Sequence, residues 1–226
     1  MNTAKKIALG IIPRPFRKWW EEQAREKRAA RERNIPKLEL SQKHLQNAKL
    51  LPHREELLAM LPKDKVCAEI GVNRGDFSAQ VLALASPAKL HLIDAWGDPK
   101  RYHDGLQLEV GERFCDEIAR QRVVINRGLS TEVLPTFPDG YFDWVYLDTV
   151  HSYSVTAAEL ALLQHKVKND GIIAGHDYSM GNWVGGVRYG VIEAVHELCV
   201  QADWEILYLT LETHLARSFA IRRRQT

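Results

Sequence analysis

The sequence has few cysteines and no long apolar run, and these two shortages exclude several classes of protein. Cys67, Cys115 and Cys199 lie far apart, and no pair has the short spacing of a structural zinc site. An odd number of separated cysteines fits a reducing compartment better than a disulfide framework. No stretch approaches the roughly 18 apolar residues that a transmembrane segment needs. Because Pro-Arg-Pro at 13–15 follows the short apolar stretch near the start, where a signal peptide would have a small-residue cleavage site, we expect a cytoplasmic protein.

Strong net charge is also absent, but the charge that is present is unevenly distributed. The formal net charge is +2. Residues 1–34 contain ten Lys or Arg and four Asp or Glu, a local charge of +6 that leaves −4 for the rest of the chain. A mildly acidic main part does not favour binding to nucleic acid. We therefore expect a basic helical N-terminal extension over residues 1–40 and a catalytic domain over residues 41–226.

The extension contains three aromatic residues, Phe16, Trp19 and Trp20, whose spacing places them on one helix face. Two roles fit this pattern. One is docking on a membrane surface or an anionic partner, and the other is an oligomerisation or capping helix, through which a homodimer would form. After a break at 34–36, the leucine pattern predicts a second helical zone that begins at the N-cap Ser41 and is divided by Pro52.

From residue 65 onward, short apolar strands alternate with helices. Strands are predicted at 65–70, 90–94, 122–126, 142–148, 171–174, 205–210 and 217–222, and helices at 77–85, 106–118, 131–137, 155–167 and 187–200. This alternation is typical of a mostly parallel α/β sheet with helices on both faces. The link at 211–216 is too short for a helical crossover, so the last two strands should pair antiparallel.

The turn after the first of these strands carries two glycines, Gly71 and Gly75, which let the backbone turn tightly and a ligand approach closely. Asn73 replaces the second glycine of the dinucleotide motif G-x-G-x-x-G, so a nucleotide-cofactor oxidoreductase is a weaker alternative. Glu69 suits a ligand with an amino-acid ammonium group. Asp94, at the end of the second strand, is placed to accept both hydroxyls of a ribose. An ordinary glycine turn is the structural alternative.

Five segments, taken in order, resemble class I S-adenosylmethionine (SAM)-dependent methyltransferases. They are residues 69–78 (EIGVNRGDFS), 92–94 (LID), 140–148 (GYFDWVYLD), 151–153 (HSY) and 169–178 (NDGIIAGHDY). The likeness covers about residues 60–222 and is greatest to the small-molecule O-methyltransferase branch, which includes macrocin-type and catechol-type enzymes. It implies a Rossmann-like seven-stranded, mostly parallel sheet with an antiparallel edge hairpin. It also implies methyl transfer from SAM to a hydroxyl of a small molecule or sugar.

The resemblance further implies which residues bind the cofactor, from its methionine end through the ribose to the adenine. These residues are Glu69, Gly71, Asn73, Gly75, Asp94, Ala95, Trp96, Gly128, Leu129, Ser130 and Asp148. Leu129 stands where relatives usually have an acid that accepts from the adenine amino group, so Ser130 or backbone atoms would have to replace it. Trp96 either stacks on the adenine or belongs to the core.

By the same resemblance, Asp148 and Asp177 would bind Mg²⁺ or another divalent cation. His176 either supplies a nitrogen ligand or is a loop histidine that orients Asp177 by a hydrogen bond. Carboxylate oxygens suit hard cations, whereas a histidine nitrogen favours a transition metal. Val150 replaces a second acid found in many relatives, and Tyr178 stands where some relatives have a further ligand. The need for a metal is therefore open.

The predicted catalytic residues are Asp148 and His151. His151 lies where catechol-type enzymes carry a catalytic lysine, and a neutral imidazole can accept a hydroxyl proton near pH 7. The alternative is that His151 only caps the next helix. The glycine-rich segment 178–190 predicts a substrate loop or lid. A catalytically silent SAM-binding or scaffold protein is a further alternative, and the sequence does not identify the methyl acceptor.

Overall fold

The structure, a computed structural model, describes residues 14–97, 105–182, 184–213 and 216–225. Its helices in chain order are α1 Arg14–Arg33, α2 Arg54–Met60, α3 Asp76–Leu84, α4 Leu106–Arg113, α5 Cys115–Ala119, α6 Ser130–Val133, α7 Tyr153–Lys166 and α8 Val191–Ala202. Its strands are β1 Lys49–Leu51, β2 Val66–Ile70, β3 Lys89–Asp94, β4 Val123–Arg127, β5 Phe142–Leu147, β6 Val167–Gly175, β7 Gly181–Asn182, β8 Val187–Arg188, β9 Trp204–Thr210 and β10 Phe219–Arg223.

One eight-stranded sheet, in the order β1-β9-β10-β6-β5-β2-β3-β4, forms the centre of the molecule. β10 pairs antiparallel with both β9 and β6, and the other neighbouring strands are parallel. This confirms the predicted Rossmann-like α/β class and the antiparallel pairing of the last two strands. The expected number of seven strands was wrong. The eighth strand is β1, which extends the sheet beside β9.

The region before β2 also differs from the prediction. The expected helical zone is a short 3₁₀ helix at Gln42–His44, followed by β1 and only then by α2. Ser41 does precede the first helical turn, and its backbone N–H donates to the His44 ring at 3.0 Å. Leu45 and Leu50, which contributed to the helical leucine pattern, are exposed. A strand therefore forms here by pairing with β9, a long-range contact that local spacing does not encode.

The sheet is covered on both faces because its strands are apolar on both sides. β2, β3 and β5 are buried almost along their whole length. Their side chains enter two apolar clusters, one containing Leu92 and Trp144 and the other Ile70, Ile93 and Val145. Two-sided burial of this kind is the usual state of parallel strands with helical crossovers.

The strand order reverses between β2 and β5. From β2 the chain continues outward through β3 and β4, and it then returns to place β5 on the other side of β2. The carboxyl ends of β2 and β5 are therefore adjacent, and the crossovers diverge from this point. Open α/β sheets bind their ligands in the crevice that such a reversal creates.

The N-terminal helix α1 lies outside both apolar clusters, and none of its described side chains is buried. Its last turn is held by Glu32, which accepts two hydrogen bonds of 2.8 Å from Arg188. None of the helices in the described part of the chain has the length and apolar content that a membrane span requires. The predicted domain boundary at residue 40 remains a prediction.

Candidate active site

A cavity of about 1060 Å³ lies at the carboxyl edge of the sheet, where the strand order reverses. Its walls are the turns that follow β2, β3, β4 and β5 and the first half of α7. It is large enough for a nucleoside-sized ligand together with a small second molecule. Of the predicted cofactor residues, those that line it are Glu69, Gly71, Asn73, Asp94, Ala95, Gly128, Leu129, Ser130 and Asp148.

Gly71 is required by the close approach of two strands. Its φ is +93°, and a Cβ built on it would lie 1.9 Å from the backbone oxygen of Asp148. Its N–H donates to the carbonyl of Ile93 on the neighbouring strand, at 2.9 Å. Only a residue without a side chain fits this position, so the turn after β2 can pass directly over the end of β5.

The Asp94 carboxylate fixes the shape of the same turn. One oxygen accepts the backbone N–H groups of Val72 and Asn73, at 2.8 and 2.9 Å, and the other accepts that of Trp96, at 2.8 Å. Three of its roughly four acceptor positions are thus occupied by backbone donors. Asp94 lines the cavity at the position predicted to contact a ribose, and it also holds the glycine turn in place.

Glu69 is a buried carboxylic acid inside the cavity wall. It is 1% exposed, and its Oε2 has no hydrogen-bond partner among the residues that the structure describes. Burial raises the pKa of Glu69 to about 8, and the negative charges of Asp148 and Asp94 contribute to the increase. A buried acid without a full set of partners is suited to a cationic ligand group that arrives from the cavity.

The cavity wall also contains a polar group that the sequence did not identify. Glu159 of α7 is fully buried and accepts hydrogen bonds from the hydroxyls of Ser130 and Thr149. Because Ser130 donates to Glu159, its oxygen can still accept a hydrogen bond from a ligand. Leu129 lies beside it and is 55% exposed. The one available sequence signal was a glutamate on the buried face of α7, which also carries Thr156, Leu160 and Leu163.

Two predicted cofactor residues do not line the cavity. Trp96 is 7% exposed, belongs to an apolar cluster and donates its indole N–H to the backbone oxygen of Asn73. Its position favours the core alternative. Gly75 lies at the start of α3 with a φ of +75°, and a Cβ there would lie 2.7 Å from the Phe114 ring. Trp96 contacts the glycine turn and Gly75 belongs to it, but neither residue lines the cavity.

Four predicted residues meet beside the cavity, at the ends of β5 and β6. His151 Nδ1 lies 2.7 Å from Asp177 Oδ2 and 4.0 Å from Asp148 Oδ1. His176 Nδ1 lies 3.4 Å from Asp177 Oδ2 and 3.9 Å from Asp148 Oδ2. Asp148 and His151 line the main cavity, whereas His176 lines a small neighbouring one. The four residues that were predicted from the sequence therefore lie in one cluster in the structure.

The two carboxylates of this cluster differ in their proton affinity. For Asp177, burial favours the protonated form, but the hydrogen bonds from His151 and His176 outweigh it and hold the pKa well below the usual range. For Asp148, burial raises the pKa, with a further increase from the charge of Asp177. The pKa of His176 is raised, because Asp177 and Asp148 stabilise its cation against the opposing effect of burial.

The set Asp148, His151 and Asp177 has the composition of a cation site. One ligand atom from each of these residues lies within 4.8 Å of the others. The sequence analysis named His176 as the histidine ligand, and that assignment stays a prediction, since His176 Nδ1 also lies 3.9 Å from Asp148 and 3.4 Å from Asp177. Two oxygens and one nitrogen form a mixed donor set that suits a transition metal as well as Mg²⁺.

Residues 178–190, the predicted substrate loop, form a small hairpin in which β7 pairs with β8. The hairpin packs on the cluster of Asp148, His151, His176 and Asp177. The Gly190 N–H donates to the His151 carbonyl at 2.8 Å, and the rings of His151 and Tyr189 lie 4.9 Å apart. A Cβ at Gly190 would lie 2.3 Å from the Tyr153 backbone nitrogen. The segment therefore contacts His151 beside the cavity, and its role as a substrate loop remains a prediction.

Arg54, at the start of α2, is a cavity residue that the sequence analysis missed. Its guanidinium lies 4.8 Å from the centre of the Phe77 ring, and its Nε is buried without a hydrogen-bond partner in the described part of the chain. Its positive charge opposes the rise in the pKa of Glu69 and of Asp148, although no hydrogen bond joins it to either carboxylate. Nothing in the local sequence distinguishes Arg54 from surface arginines, because the residues that surround it in the fold are distant from it in the chain.

Comparison with known proteins agrees with this geometry. Residues 68–178 match the family model described as a methyltransferase domain. No curated protein sequence matches the chain.

Three solved structures share the fold, all at low identity. A SAM-dependent methyltransferase from Aquifex aeolicus is 11% identical with a TM-score of 0.54, and the match covers 80% of this chain and 93% of that one. The B. subtilis tRNA methyltransferase TrmK is 13% identical with a TM-score of 0.53, covering 77% and 67% of the two chains. The pyocyanin biosynthetic protein PhzM is 13% identical with a TM-score of 0.55, covering 75% and 54%. Because these proteins differ in function, their likeness establishes the fold and leaves the acceptor open.

Proposed function

We propose, from the premise that this chain carries a class I SAM-dependent methyltransferase domain, that it transfers a methyl group to a hydroxyl of a small molecule or sugar. The observation that carries this proposal is the pair formed by His151 and Asp177 beside the cavity. A hydroxyl must lose its proton as it is methylated, and this pair is a suitable acceptor for that proton. SAM would supply the methyl group as a sulfonium.

The 2.7 Å contact with Asp177 defines the role of each His151 nitrogen. It requires a proton on Nδ1, so in a neutral imidazole Nε2 is the acceptor. Asp177, whose pKa is held low, stays ionised and stabilises the imidazolium that forms. Carboxylate–histidine pairs of this kind orient a general base in many enzymes. His151 is thus proposed as the base and Asp177 as its positioning residue.

The cofactor would lie across the turns after β2, β3 and β4. Glu69 would receive the ammonium group of the methionine moiety, Asp94 the ribose, and Ser130 the adenine amino group. The buried, unpartnered oxygen of Glu69 supports the first assignment, and the cavity volume accommodates the whole molecule. Gly71 keeps the backbone close to the end of β5, so the methyl donor and the His151 pair face one space.

SAM binding should strengthen as the pH rises from about 6 to about 8. The pKa of Glu69 is raised to about 8 in the free protein, so at lower pH the acid is neutral and attracts an ammonium group weakly. In the ligand-free protein, the effect of Glu69 on the folding stability has the opposite pH dependence and weakens as the pH rises. The stabilising effect of the raised pKa is fully present below the unfolded pKa of about 4.5 and is lost as the pH rises through 8. Titration calorimetry across this range measures the binding effect directly.

Two controls isolate Glu69. The Glu69→Gln variant should bind SAM more weakly and with little dependence on pH. Methylthioadenosine, which lacks the amino-acid moiety, should bind the wild-type chain with the same affinity throughout the range. Equal pH dependence for SAM and methylthioadenosine would remove Glu69 from the binding scheme.

Arg54→Gln should weaken SAM binding roughly tenfold, because a charged hydrogen bond to the methionine carboxylate would be lost. Arg54 lines the cavity, its Nε has no hydrogen-bond partner among the described residues, and its charge opposes the rise in the pKa of Glu69. The matched control is Arg120→Gln, an arginine on the surface outside the cavity. Calorimetry with SAM and with methylthioadenosine separates the possibilities. If both ligands lost affinity equally, Arg54 would act on the fold and not on the carboxylate.

A divalent cation in the same cluster is an alternative to the His151 base. Asp148, Asp177 and His151 would hold it, and it would supply Lewis-acid activation of the acceptor hydroxyl. Binding through Nδ1 would replace the proton that His151 shares with Asp177, so a metal-bound His151 would be a ligand and not the base. Turnover that survives EDTA therefore supports the His151 base, whereas turnover that requires added Mg²⁺ or Mn²⁺ supports the cation.

Two alternatives make different predictions. A catalytically silent SAM-binding protein would bind SAM and form no S-adenosylhomocysteine with any acceptor. A nucleotide-cofactor oxidoreductase would bind NAD in preference to SAM. Calorimetry with both ligands, followed by assays with phenols, catechols and sugars, distinguishes these alternatives from the proposed function.

A further inference from the structure

We propose that the first turns of α1 form a docking surface for membranes that contain anionic lipids. The surface consists of Phe16, Trp19 and Trp20, in a segment (residues 14–20) that contains three basic residues and no acid. Phe16 and Trp20 are each 62% exposed and Trp19 is 54% exposed. These are the largest exposed side chains of a helix that contributes nothing to the two apolar clusters.

The aromatic residues lie on one face of the helix, since they are separated by three and four positions. The rings of Trp19 and Trp20 pack edge to face, with centroids 6.2 Å apart. No described side chain of α1 is buried, so the packing of the catalytic domain does not explain why these positions are aromatic. Tryptophan side chains with this exposure are typical of the boundary between lipid chains and water.

The charge of the same segment identifies the kind of surface that would receive it. Residues 1–20 contain five cations, at Lys5, Lys6, Arg14, Arg17 and Lys18, and no acid. The first acids are Glu21 and Glu22, and from there to residue 33 acids and bases are mixed. Basic residues next to exposed aromatics favour a membrane whose surface is negative.

Charge argues against a second copy of the chain as the partner, because two segments of like charge would be brought together. RNA is anionic, as the proposed membrane surface is, and the net charge of −4 on residues 35–226 opposes both equally. The choice of lipid over RNA therefore rests on the apolar residues. Residues 7–12 are mainly aliphatic (IALGII), which suits insertion between lipids better than stacking on bases.

The other end of α1 connects this surface to the active site. Glu32 accepts from Arg188 of β8, and Arg188 also pairs with Glu193 of α8. The hairpin that carries Arg188 continues into Tyr189, whose ring lies 4.9 Å from that of His151. A membrane that binds the tip of α1 would therefore hold an element in contact with the substrate hairpin.

The test is cosedimentation of the full chain with vesicles of phosphatidylcholine alone and of phosphatidylcholine mixed with phosphatidylglycerol. We expect binding to the mixed vesicles, little binding to the neutral ones, and loss of binding at high salt. Trp19→Ser with Trp20→Ser should weaken binding at least roughly tenfold, as should Arg17→Gln with Lys18→Gln. The matched control, Lys27→Gln with Arg28→Gln, removes the same charge from the part of α1 that lacks aromatics, and its effect should be small.

Three results would overturn the proposal: no partition into anionic vesicles, equal losses in the control and in Arg17→Gln with Lys18→Gln, or a dimer that Trp19→Ser with Trp20→Ser converts to a monomer. Binding of an RNA oligonucleotide in place of vesicles would overturn it as well. SAM titration of each variant keeps this test separate from the proposed activity. Unchanged SAM affinity together with lost vesicle binding supports the docking surface.

Discussion

Gly71→Ala is expected to reduce SAM affinity by at least roughly a hundredfold. The added Cβ would lie 1.9 Å from the Asp148 backbone oxygen, at a φ of +93°. The turn after β2 would have to move away from the end of β5. Glu69 and the backbone held by Asp94 would then leave their positions around the proposed cofactor. Titration calorimetry with SAM and thermal unfolding of the variant measure the effect.

Gly140→Ala is the matched control. Gly140 also has a positive φ, +65°, but a Cβ there would meet nothing within 4 Å. Its cost should be about 1 kcal/mol of folding free energy, with SAM affinity unchanged. A folded Gly71→Ala protein that bound SAM as tightly as Gly140→Ala does would contradict the proposed path of the cofactor over this turn.

His151→Gln is expected to lower kcat by about 10² to 10⁴ while leaving SAM affinity near the wild-type value. Glutamine keeps a polar side chain of similar size but cannot accept and hold the hydroxyl proton. Asp177→Asn should lower kcat as well, because an amide does not stabilise the imidazolium. The measurement is formation of S-adenosylhomocysteine with a hydroxyl acceptor that the wild-type chain uses, together with SAM titration.

The control for this prediction is His165→Gln, which changes an exposed histidine near the end of α7. Its turnover should match that of the wild type. If His151→Gln and Asp177→Asn both retained full turnover, the general-base assignment would be lost. The fold and the SAM site would not be affected by that result, since neither depends on the proton acceptor.

The sequence predicted the central sheet well because its strands are buried on both faces. Such strands are continuous apolar runs, and the helices between them have their own apolar faces, so β2 to β6, β9 and β10 were recognised from composition and spacing. The short link before β10 also fixed the antiparallel pairing. The missed strand, β1, has only three residues, and its leucines fit a helical pattern equally well.

The candidate site was predictable where it lies at strand ends. Glu69, Asp94 and Asp148 each end or follow a parallel strand, so the sheet itself brings them to one edge. Arg54 and Glu159 could not be found in this way, because they reach the cavity from helices whose orientation depends on packing.

The choice between His176 and His151 as the histidine of the proposed cation set has a similar origin. Both histidines lie near Asp148 and Asp177, and only their side-chain positions distinguish them. Sequence spacing places residues on an edge of the sheet, but it does not specify which nitrogen faces which oxygen.

The most direct measurement is calorimetric titration of the full chain with SAM, with S-adenosylhomocysteine and with NAD. The cavity beside Glu69 and Asp94 predicts that both sulfur nucleosides bind with one-to-one stoichiometry and that NAD does not compete with them. A folded protein that bound neither SAM nor S-adenosylhomocysteine would contradict the assignment of this cavity.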